Sequence, residues 1–153
     1  MNTSQPSGSH DPTHPCIRKA EQRDIPEVMA IIAPYVDERV LIPRDEKDLQ
    51  KLVPHGFVAE AGGNIVGFAA VEIYSRKLAE VQCLAVLEGY QNQGLGKKLV
   101  DACVNRAREE QGFELLAITS SDEFLRSCGF DYSLPDQRRA LFMRTGSDKK
   151  NAK

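Results

Sequence analysis

The residues best suited to chemistry lie in a short glycine-containing segment, QNQGLG, at positions 91–96. Gly94 and Gly96 let backbone N–H groups approach an anion without a Cβ in the way. A helix that begins here adds unpaired N–H donors and the positive end of its dipole. Lys97 and Lys98 follow directly and add positive charge. The segment therefore predicts a phosphate-binding site.

The residues around Gly96 exclude two familiar phosphate loops. A Walker A loop requires Gly-Lys-Ser/Thr, but Lys98 stands at the third position, and no glycine lies five residues before Gly96. A dinucleotide fingerprint requires a third glycine where Leu99 stands. Two interpretations stay open. Gln91, Gly94 and Gly96 fit a pyrophosphate loop of the form Q/R-x-x-G-x-G/A, or they form a glycine-rich turn that only starts a helix.

The composition is that of an ordinary globular domain, with 41% hydrophobic and 27% charged residues among 153. This length fits one domain with a sizeable core. A net charge of −2 gives no general attraction to nucleic acids or anionic membranes. No apolar run is long enough to span a bilayer. We expect no nucleic-acid or membrane partner.

Metal and disulfide chemistry are disfavoured by the spacing of the histidines and cysteines. No Cys-x-x-Cys pair occurs, and none of the three histidines lies at metal-ligand spacing from a cysteine. The cysteines are Cys16, Cys83, Cys103 and Cys128. We therefore expect no metal, and free thiols in a reducing compartment. Because the chain also begins without a basic-then-apolar signal segment, a cytoplasmic location is predicted.

Both ends of the chain are predicted to be disordered. Residues 1–15 are rich in Ser, Thr, Pro, Gly and His and carry almost nothing apolar, so burial cannot offset their ordering entropy. Residues 146–153 have the same character. The folded domain is expected over residues 16–145.

The first elements after the leader are predicted to be helices. Asp24 followed by Glu27 resembles a capping box at a helix start. Pro34 is expected to kink or end this helix. A second short helix is predicted over residues 45–52. The buried face of the first helix is expected to consist of Ile25, Val28, Met29, Ile32 and Val36.

A change to two-residue periodicity after Gly56 predicts strands. Residues 57–61 and 65–74 read as a hairpin, because the turn at 62–64 contains two glycines that accept positive φ. Residues 78–87 form a further strand. On one face of that strand we expect Glu80, Gln82, Leu84 and Val86.

A strand–helix–strand unit is predicted to complete the domain. A long helix is expected over residues 94–111, followed by an apolar, central parallel strand over 115–119. Ser121 can cap a short helix that ends near Cys128, and residues 139–144 form a last strand. The inward face of the long helix consists of Leu95, Leu99, Ala102, Cys103 and Ala107. This order predicts a single α/β (α+β) domain with a central mixed, mostly antiparallel sheet flanked by helices.

Together these segments resemble the GNAT superfamily of N-acetyltransferases over nearly all of residues 17–145. The resemblance is carried by the hairpin, the 91–96 loop and three further segments: IRKA at 17–20 with Asp24-Ile25, EVQCLAV at 80–86, and CGF at 128–130. Within the superfamily the chain is similar to short, stand-alone N-acetylglutamate synthase-type proteins. That finer similarity rests on VLIPR at 40–44, FLRSCGF at 124–130 and Leu134-Pro135.

The resemblance implies transfer of the acetyl group of acetyl-CoA to a small amino acid, glutamate first, by direct attack in a ternary complex. Glu80 matches the position of the general base. Its apolar neighbours on the strand reduce its hydration and favour uptake of a proton from the amine. The alternative is a surface carboxylate at a strand start. The residues implied to bind acetyl-CoA are Leu84, Ala85, Val86, Gln91, Asn92, Gln93, Gly94, Leu95, Gly96 and Lys97.

The acceptor is implied to bind at Arg44, because a guanidinium can hold a carboxylate through two parallel hydrogen bonds. Phe124 and Arg126 are weaker candidates for the same site. Leu125 departs from the superfamily pattern, since many members carry there a tyrosine that protonates the leaving thiolate. An ordinary thiol has a pKa of ~8.5 and can leave without a strong acid. Tyr132 or a water is the alternative proton donor.

Other functions stay open at this point. A polyamine acceptor would suit an acidic site, which Asp45, Glu46 and Asp48 could form. An antibiotic amine or a protein N-terminus are further acceptors within the superfamily. A module that binds acetyl-CoA without catalysis is supported by Leu125 in place of the tyrosine. A homodimer is compatible with the sequence.

Overall fold

The computed structural model describes residues 14–110, 114–119 and 122–132, together with residues 141, 143 and 145. The predicted tail at 146–153, the predicted cap at Ser121 and almost all of the predicted leader therefore lie outside the described residues. The predicted last strand at 139–144 also falls largely outside them. The proposed domain boundaries stay predictions.

The central feature of the fold is a five-stranded sheet. Its strands are β1 Cys16–Lys19, β2 Gly56–Ala61, β3 Asn64–Ile73, β4 Leu78–Val86 and β5 Glu114–Leu116, and they lie in that order in the sheet. Strands β1 to β4 pair with one another in antiparallel fashion, and β5 pairs in parallel with β4. This confirms the predicted mixed, mostly antiparallel sheet. The helices are α1 Ile25–Asp37, α2 Glu46–Leu52, α3 Leu95–Glu109 and α4 Asp122–Ser127.

The sheet separates two hydrophobic cores. Helices α1 and α2 pack on one face, around the fully buried side chains of Leu49 and Phe68. Helix α3 packs on the other face, where Leu99 and Cys103 are fully buried. The predicted hairpin is confirmed, with Gly62 and Gly63 at φ of 57° and 80° in the turn between β2 and β3.

The inward faces of the helices differ from the predictions at a few positions. In α1 Ile31 is buried although it was not predicted to be, whereas Met29 is 37% exposed and Val36 is only partly covered. In α3 Val100 is buried and Ala102 is only partly covered. Pro34 lies inside α1, which continues to Asp37 before it ends.

The predicted capping box at the start of α1 is wrong. Asp24 does not cap the helix with its side chain. It is 4% exposed and accepts two hydrogen bonds from Arg18, at 2.9 and 2.8 Å. Glu27 instead accepts a hydrogen bond from the Ile65 amide at 3.0 Å, which fastens α1 to β3. Arg18 holds the pKa of the Asp24 carboxyl below its usual value.

A β-bulge interrupts β4 and corrects the predicted side-chain alternation. The register places two residues of β4, Cys83 and Leu84, opposite Ala69 alone, and Cys83 has a φ of 57°. Beyond the bulge the alternation is shifted, so that Leu84 and Val86 face the α3 core. Glu80 and Gln82 thus share a face with each other but not with Leu84 and Val86.

The predicted strand at 115–119 forms over Glu114–Leu116 and lies at the edge of the described sheet rather than at its centre. Its pairing with β4 covers three residues and ends where Glu80 faces Leu116. Pairing between β4 and β5 therefore ends at Glu80, whereas β4 itself continues to Val86.

Candidate functional site

A cluster of polar side chains lies where β3 and β4 pair, on the face toward α1 and α2. Glu72 and Glu80 are directly opposite each other in the register. The hydroxyl of Tyr74 donates a hydrogen bond to the carboxylate of Glu80 and lies 3.4 Å from Glu72 Oε2. Desolvation, the hydrogen bond to Glu80 and the two negative charges raise the pKa of Tyr74 above its ordinary value. The hydroxyl therefore keeps its proton at neutral pH.

Gln82 connects this acidic cluster to Arg44. The Gln82 side-chain nitrogen donates to Glu72 and lies 3.1 Å from the Tyr74 hydroxyl and 3.4 Å from Glu80 Oε2. Its side-chain oxygen accepts a hydrogen bond from Arg44 Nη2 at 2.5 Å. The residue itself is only 8% exposed. The side-chain amide of Gln82 thus connects Arg44, the residue predicted to bind the acceptor substrate, with Glu80, the predicted base.

Arg44 also faces a cavity of about 190 Å³. Its Nε is buried and has no hydrogen-bond partner among the described residues. The donors that suit a further acceptor, such as a carboxylate, are therefore the terminal N–H groups that do not bond to Gln82, rather than the buried Nε. The residues that line this cavity besides Arg44 are Met29, Ile32, Ala33, Val36, Asp37 and Pro43.

The predicted phosphate loop is exposed and leads directly into α3. Gly94 adopts a φ of 80°, and a Cβ built there would contact no atom within 4 Å. The first hydrogen bond of α3 runs from the Lys98 amide to the Gly94 carbonyl at 3.1 Å. The amides of Leu95, Gly96 and Lys97 precede it and are the free donors of a helix N-terminus. This arrangement fits an anion.

The side chain of Gln91 is exposed but lies against the end of β4. Its nitrogen donates to the Tyr35 hydroxyl at 2.5 Å and to the Val86 carbonyl at 3.1 Å. The Tyr35 hydroxyl in turn donates to the Val86 carbonyl. The side chain of Gln91 thus connects the loop to β4 and α1, while residues 91–94 are all exposed.

Leu84, Ala85 and Val86 lie on the part of β4 that runs past its last paired residue with β5. On that side their backbone groups take part in no β-ladder with any strand of the described chain. An extended molecule can hydrogen-bond to such an edge as an added strand does. The edge points from Glu80 toward the loop, because β4 ends at Val86 and the loop begins five residues later.

The residues of α4 lie near the start of α3. The Phe124 ring is close enough to Gly96 that a Cβ there would meet its Cζ at 3.2 Å. Leu125 is 7% exposed and cannot donate a proton. Arg126 lies over the ring of Tyr132, whose hydroxyl donates to Asp122. The contacts of Phe124 thus associate it with the loop rather than with Arg44.

Sequence reasoning missed four residues of this region: Glu72, Tyr74, Gln82 as the connector, and Tyr35. Two-residue alternation could have placed Glu72, Tyr74, Glu80 and Gln82 on one face of a hairpin, but their pairing depends on the register. No sequence signal indicates that Tyr35 reaches the loop.

The described residues contain no group of three or more His, Cys, Asp or Glu side chains that could hold a metal ion. Among the helices of this part of the chain, none has the length and apolarity that crossing a membrane requires.

Known proteins resemble this chain over most of its length. The model of the acetyltransferase (GNAT) family matches residues 18–130. An uncharacterized N-acetyltransferase of Chlorobaculum tepidum is 30% identical over 75% of this chain and 74% of its own length. An amino-acid acetyltransferase of Neisseria meningitidis is 29% identical over 85% of this chain, which spans only 31% of that protein.

Solved structures of proteins that bind coenzyme A are also similar to this chain. The N-acetylglutamate synthase of Neisseria gonorrhoeae, solved with coenzyme A and N-acetyl-glutamate, has a TM-score of 0.70 at 27% identity, covering 75% of this chain and 28% of that one. The protein Rv2747 of Mycobacterium tuberculosis, solved in complex with CoA, has a TM-score of 0.71 at 26% identity. That match covers 74% of this chain and 70% of the other.

Proposed function

Because the chain belongs to the acetyltransferase (GNAT) family, we propose that it transfers the acetyl group of acetyl-CoA to the amine of a small amino acid, with L-glutamate as the first candidate. Family membership establishes the reaction class, which is acetyl-CoA-dependent acetyl transfer to nitrogen. The acceptor is the proposed part. The amino-acid acetyltransferases among its relatives support it, although the chain spans about a third of their length.

The observation that carries the acceptor proposal is the Arg44–Gln82–Glu80 network. An amino acid presents a carboxylate and an ammonium on one small molecule. The partly bonded guanidinium of Arg44 suits the carboxylate, and the carboxylates of Glu72 and Glu80 suit the ammonium. Gln82 is neutral and lies between the Arg44 guanidinium and the carboxylates of Glu72 and Glu80. It therefore keeps these opposite charges from forming a direct ion pair, and both remain available to a ligand.

The binding of acetyl-CoA is proposed on the loop and on the edge of β4. The amides of Leu95, Gly96 and Lys97 would hold the diphosphate, and the Lys97 side chain would add positive charge. The backbone of Leu84 and Ala85 and the N–H of Val86 would pair with the pantetheine arm, because the Val86 carbonyl already accepts hydrogen bonds from Tyr35 and Gln91. The fit is supported by the open space at Gly94 and by the free edge of β4 beyond Glu80.

Glu80 is proposed as the group that accepts the proton from the acceptor's ammonium. The neutral nitrogen then attacks the thioester carbonyl, so that a C–N bond forms and the C–S bond breaks. The nitrogen loses one further proton as the amide forms, and the thiolate takes up a proton, so the step is balanced. An N–H of β4 directed at the carbonyl oxygen would contribute about 3 kcal/mol, as oxyanion donors do. Burial raises the pKa of the Cys83 thiol, which favours direct attack over a cysteine relay.

A cationic amine is the second candidate acceptor, and the adjacent carboxylates of Glu72 and Glu80 favour it. The other acidic residues near Arg44 do not. Asp45 and Asp48 each accept a hydrogen bond from the other's backbone amide at the start of α2, so they cap a helix. The positive charge of Arg44 would also repel a polyamine.

The test is an amine panel with acetyl-CoA, in which release of the free thiol is measured. We expect turnover of L-glutamate to exceed that of other amino acids, of 4-aminobutyrate, which lacks the α-carboxylate, and of spermidine. Turnover of spermidine alone would refute the amino-acid acceptor. Turnover of no amine would favour a binding module. Arg44→Lys is the matched variant, because it keeps the charge and loses the fork of two donors. A cytoplasmic location and a homodimer stay predictions.

A further inference from the structure

The hydroxyl of Tyr35 closes a small triangle of hydrogen bonds at the end of β4. It donates to the Val86 carbonyl and accepts from the Gln91 side chain at 2.5 Å, and that same nitrogen reaches Val86 at 3.1 Å. Tyr35 belongs to α1 and lies 51 and 56 residues from these partners. The triangle therefore joins α1 to the point where β4 leads into the loop.

The backbone of Tyr35 organises a second segment. After α1 the chain reverses through Arg39, which has a φ of 60°. The Tyr35 carbonyl then accepts hydrogen bonds from the amides of Val40 and Leu41, at 2.8 and 3.1 Å. Arg44 follows three residues after Leu41. One residue thus holds the loop with its hydroxyl and the segment before Arg44 with its carbonyl.

We propose that Tyr35 is a positioning residue for acetyl-CoA, which acts through Gln91 to hold the 91–97 loop in its binding conformation. The left-handed backbone of Asn92 and Gly94 is held in place only at the ends of the loop. At one end α3 begins. At the other, the Gln91 side chain donates to Tyr35 and to the Val86 carbonyl, and the Gln91 amide donates to the Glu88 carbonyl. Loss of the Tyr35 hydroxyl removes one of these contacts, so the loop samples other conformations more often and binding must then reorder it. The inference rests on the proposed role of the loop.

The two functions of Tyr35 can be separated by substitution. Tyr35→Phe removes the hydroxyl and keeps both the ring and the carbonyl that organises residues 40–44. The dissociation constant of acetyl-CoA and its KM should therefore rise about tenfold, the effect of losing one or two ordinary hydrogen bonds. The KM of the acceptor and kcat should stay unchanged, a split that general destabilisation would not produce.

Tyr90→Phe is the matched control. Tyr90 immediately precedes the loop, and its hydroxyl makes no hydrogen bond within the described part of the chain. The control should bind acetyl-CoA as the wild-type protein does. Gln91→Met is the second variant, because it removes the amide and leaves the Tyr35–Val86 hydrogen bond. If Tyr35 acts through Gln91, the effects of Tyr35→Phe and Gln91→Met should not add in the double variant.

Calorimetry of the full chain with acetyl-CoA is the direct measurement. Wild-type affinity in both Tyr35→Phe and Gln91→Met would overturn the inference while leaving the proposed function intact. Additive losses in the double variant would also overturn it, because the two residues would then act separately. Absence of acetyl-CoA binding by the wild-type protein would instead refute the proposed function of the loop. If Tyr35→Phe does not fold, Gln91→Met alone decides through its affinity.

Discussion

Replacement of Gln82 by glutamate should disable the acceptor site while leaving acetyl-CoA binding intact. In the wild-type protein the Gln82 oxygen accepts from Arg44 Nη2 at 2.5 Å, and the other terminal N–H groups of the guanidinium are the proposed donors to a ligand. A carboxylate at the same place would hold Arg44 as an ion pair and compete with the carboxylate of the acceptor. It would also lose the donor that now faces Glu72 and Glu80.

The expected magnitude follows from the hydrogen bonds involved. A hydrogen bond to a charged group contributes about 1.5–3 kcal/mol. Because every 1.4 kcal/mol is a factor of ten, loss of one such bond between Arg44 and the acceptor should raise the acceptor's KM by ~10- to 150-fold. Gln82→Met should lie at the lower end of that range, since it removes the connector without adding a competing charge.

Steady-state kinetics with the amine that the wild-type enzyme turns over best would measure the effect. Calorimetry would show whether affinity for acetyl-CoA is unchanged. Gln50→Glu is the control, because Gln50 is an exposed residue of α2 whose side chain bonds only to Glu46, at 3.4 Å, among the described residues. An unchanged acceptor KM in Gln82→Glu, or an equal loss of acetyl-CoA affinity, would refute the reasoning.

Three further predictions concern stability, the loop and the buried thiol. Asp24→Asn should cost about 2 kcal/mol of unfolding free energy at pH 7, because it removes the carboxylate that Arg18 binds, while Arg18 keeps its pair with Glu60. Because the pKa of Asp24 is lowered in the folded protein, its contribution is present at neutral pH and is lost as the pH falls through that lowered value. In urea unfolding, the difference in unfolding free energy between wild type and variant should therefore shrink in acid. A difference that does not change with pH would contradict this prediction. Gly96→Val should weaken acetyl-CoA binding at least ~10-fold by calorimetry, because a Cβ there obstructs the loop amides and lies 3.2 Å from the Phe124 ring; full recovery on adding Phe124→Leu would assign the effect to the ring alone. Cys83→Ala should keep turnover within about twofold, since burial keeps this thiol protonated, and lost thiol release in a folded variant would point to a covalent relay.

Several parts of the fold that depend on neighbours in sequence were predicted from the sequence, although the capping box at α1 was not. The turn at Gly62-Gly63 and the short helix expected from Asp45 both formed where they were predicted, and the side chain of Asp45 caps that helix. The long helix α3 also begins where it was predicted, with Gly94 as its N-cap residue. In each case two to four consecutive residues supply the whole interaction, through a permitted φ or a side-chain cap. The family resemblance followed for the same reason, because it rests on short segments.

The candidate site was only partly predictable. Arg44 and Glu80 were identified by type and position, but nothing in the sequence indicated that Gln82 joins them. The bulge at Cys83 was missed, since it places a non-glycine residue at positive φ, and it moved Leu84 to the opposite face.

Tertiary structure alone decided which polar groups meet. Arg18 was found to bind the carboxylate that was assigned to a helix cap, and Tyr35 was found to hold Gln91. The physical reason is that the partners lie on different elements of the fold. Arg18 lies on β1 and Asp24 lies just before α1, although only six residues separate them, whereas 56 residues separate Tyr35 from Gln91. Their meeting depends on strand register and helix packing, which the burial of many apolar side chains determines together. A local pattern specifies what a residue can do, whereas the packed chain determines the partner with which it does it.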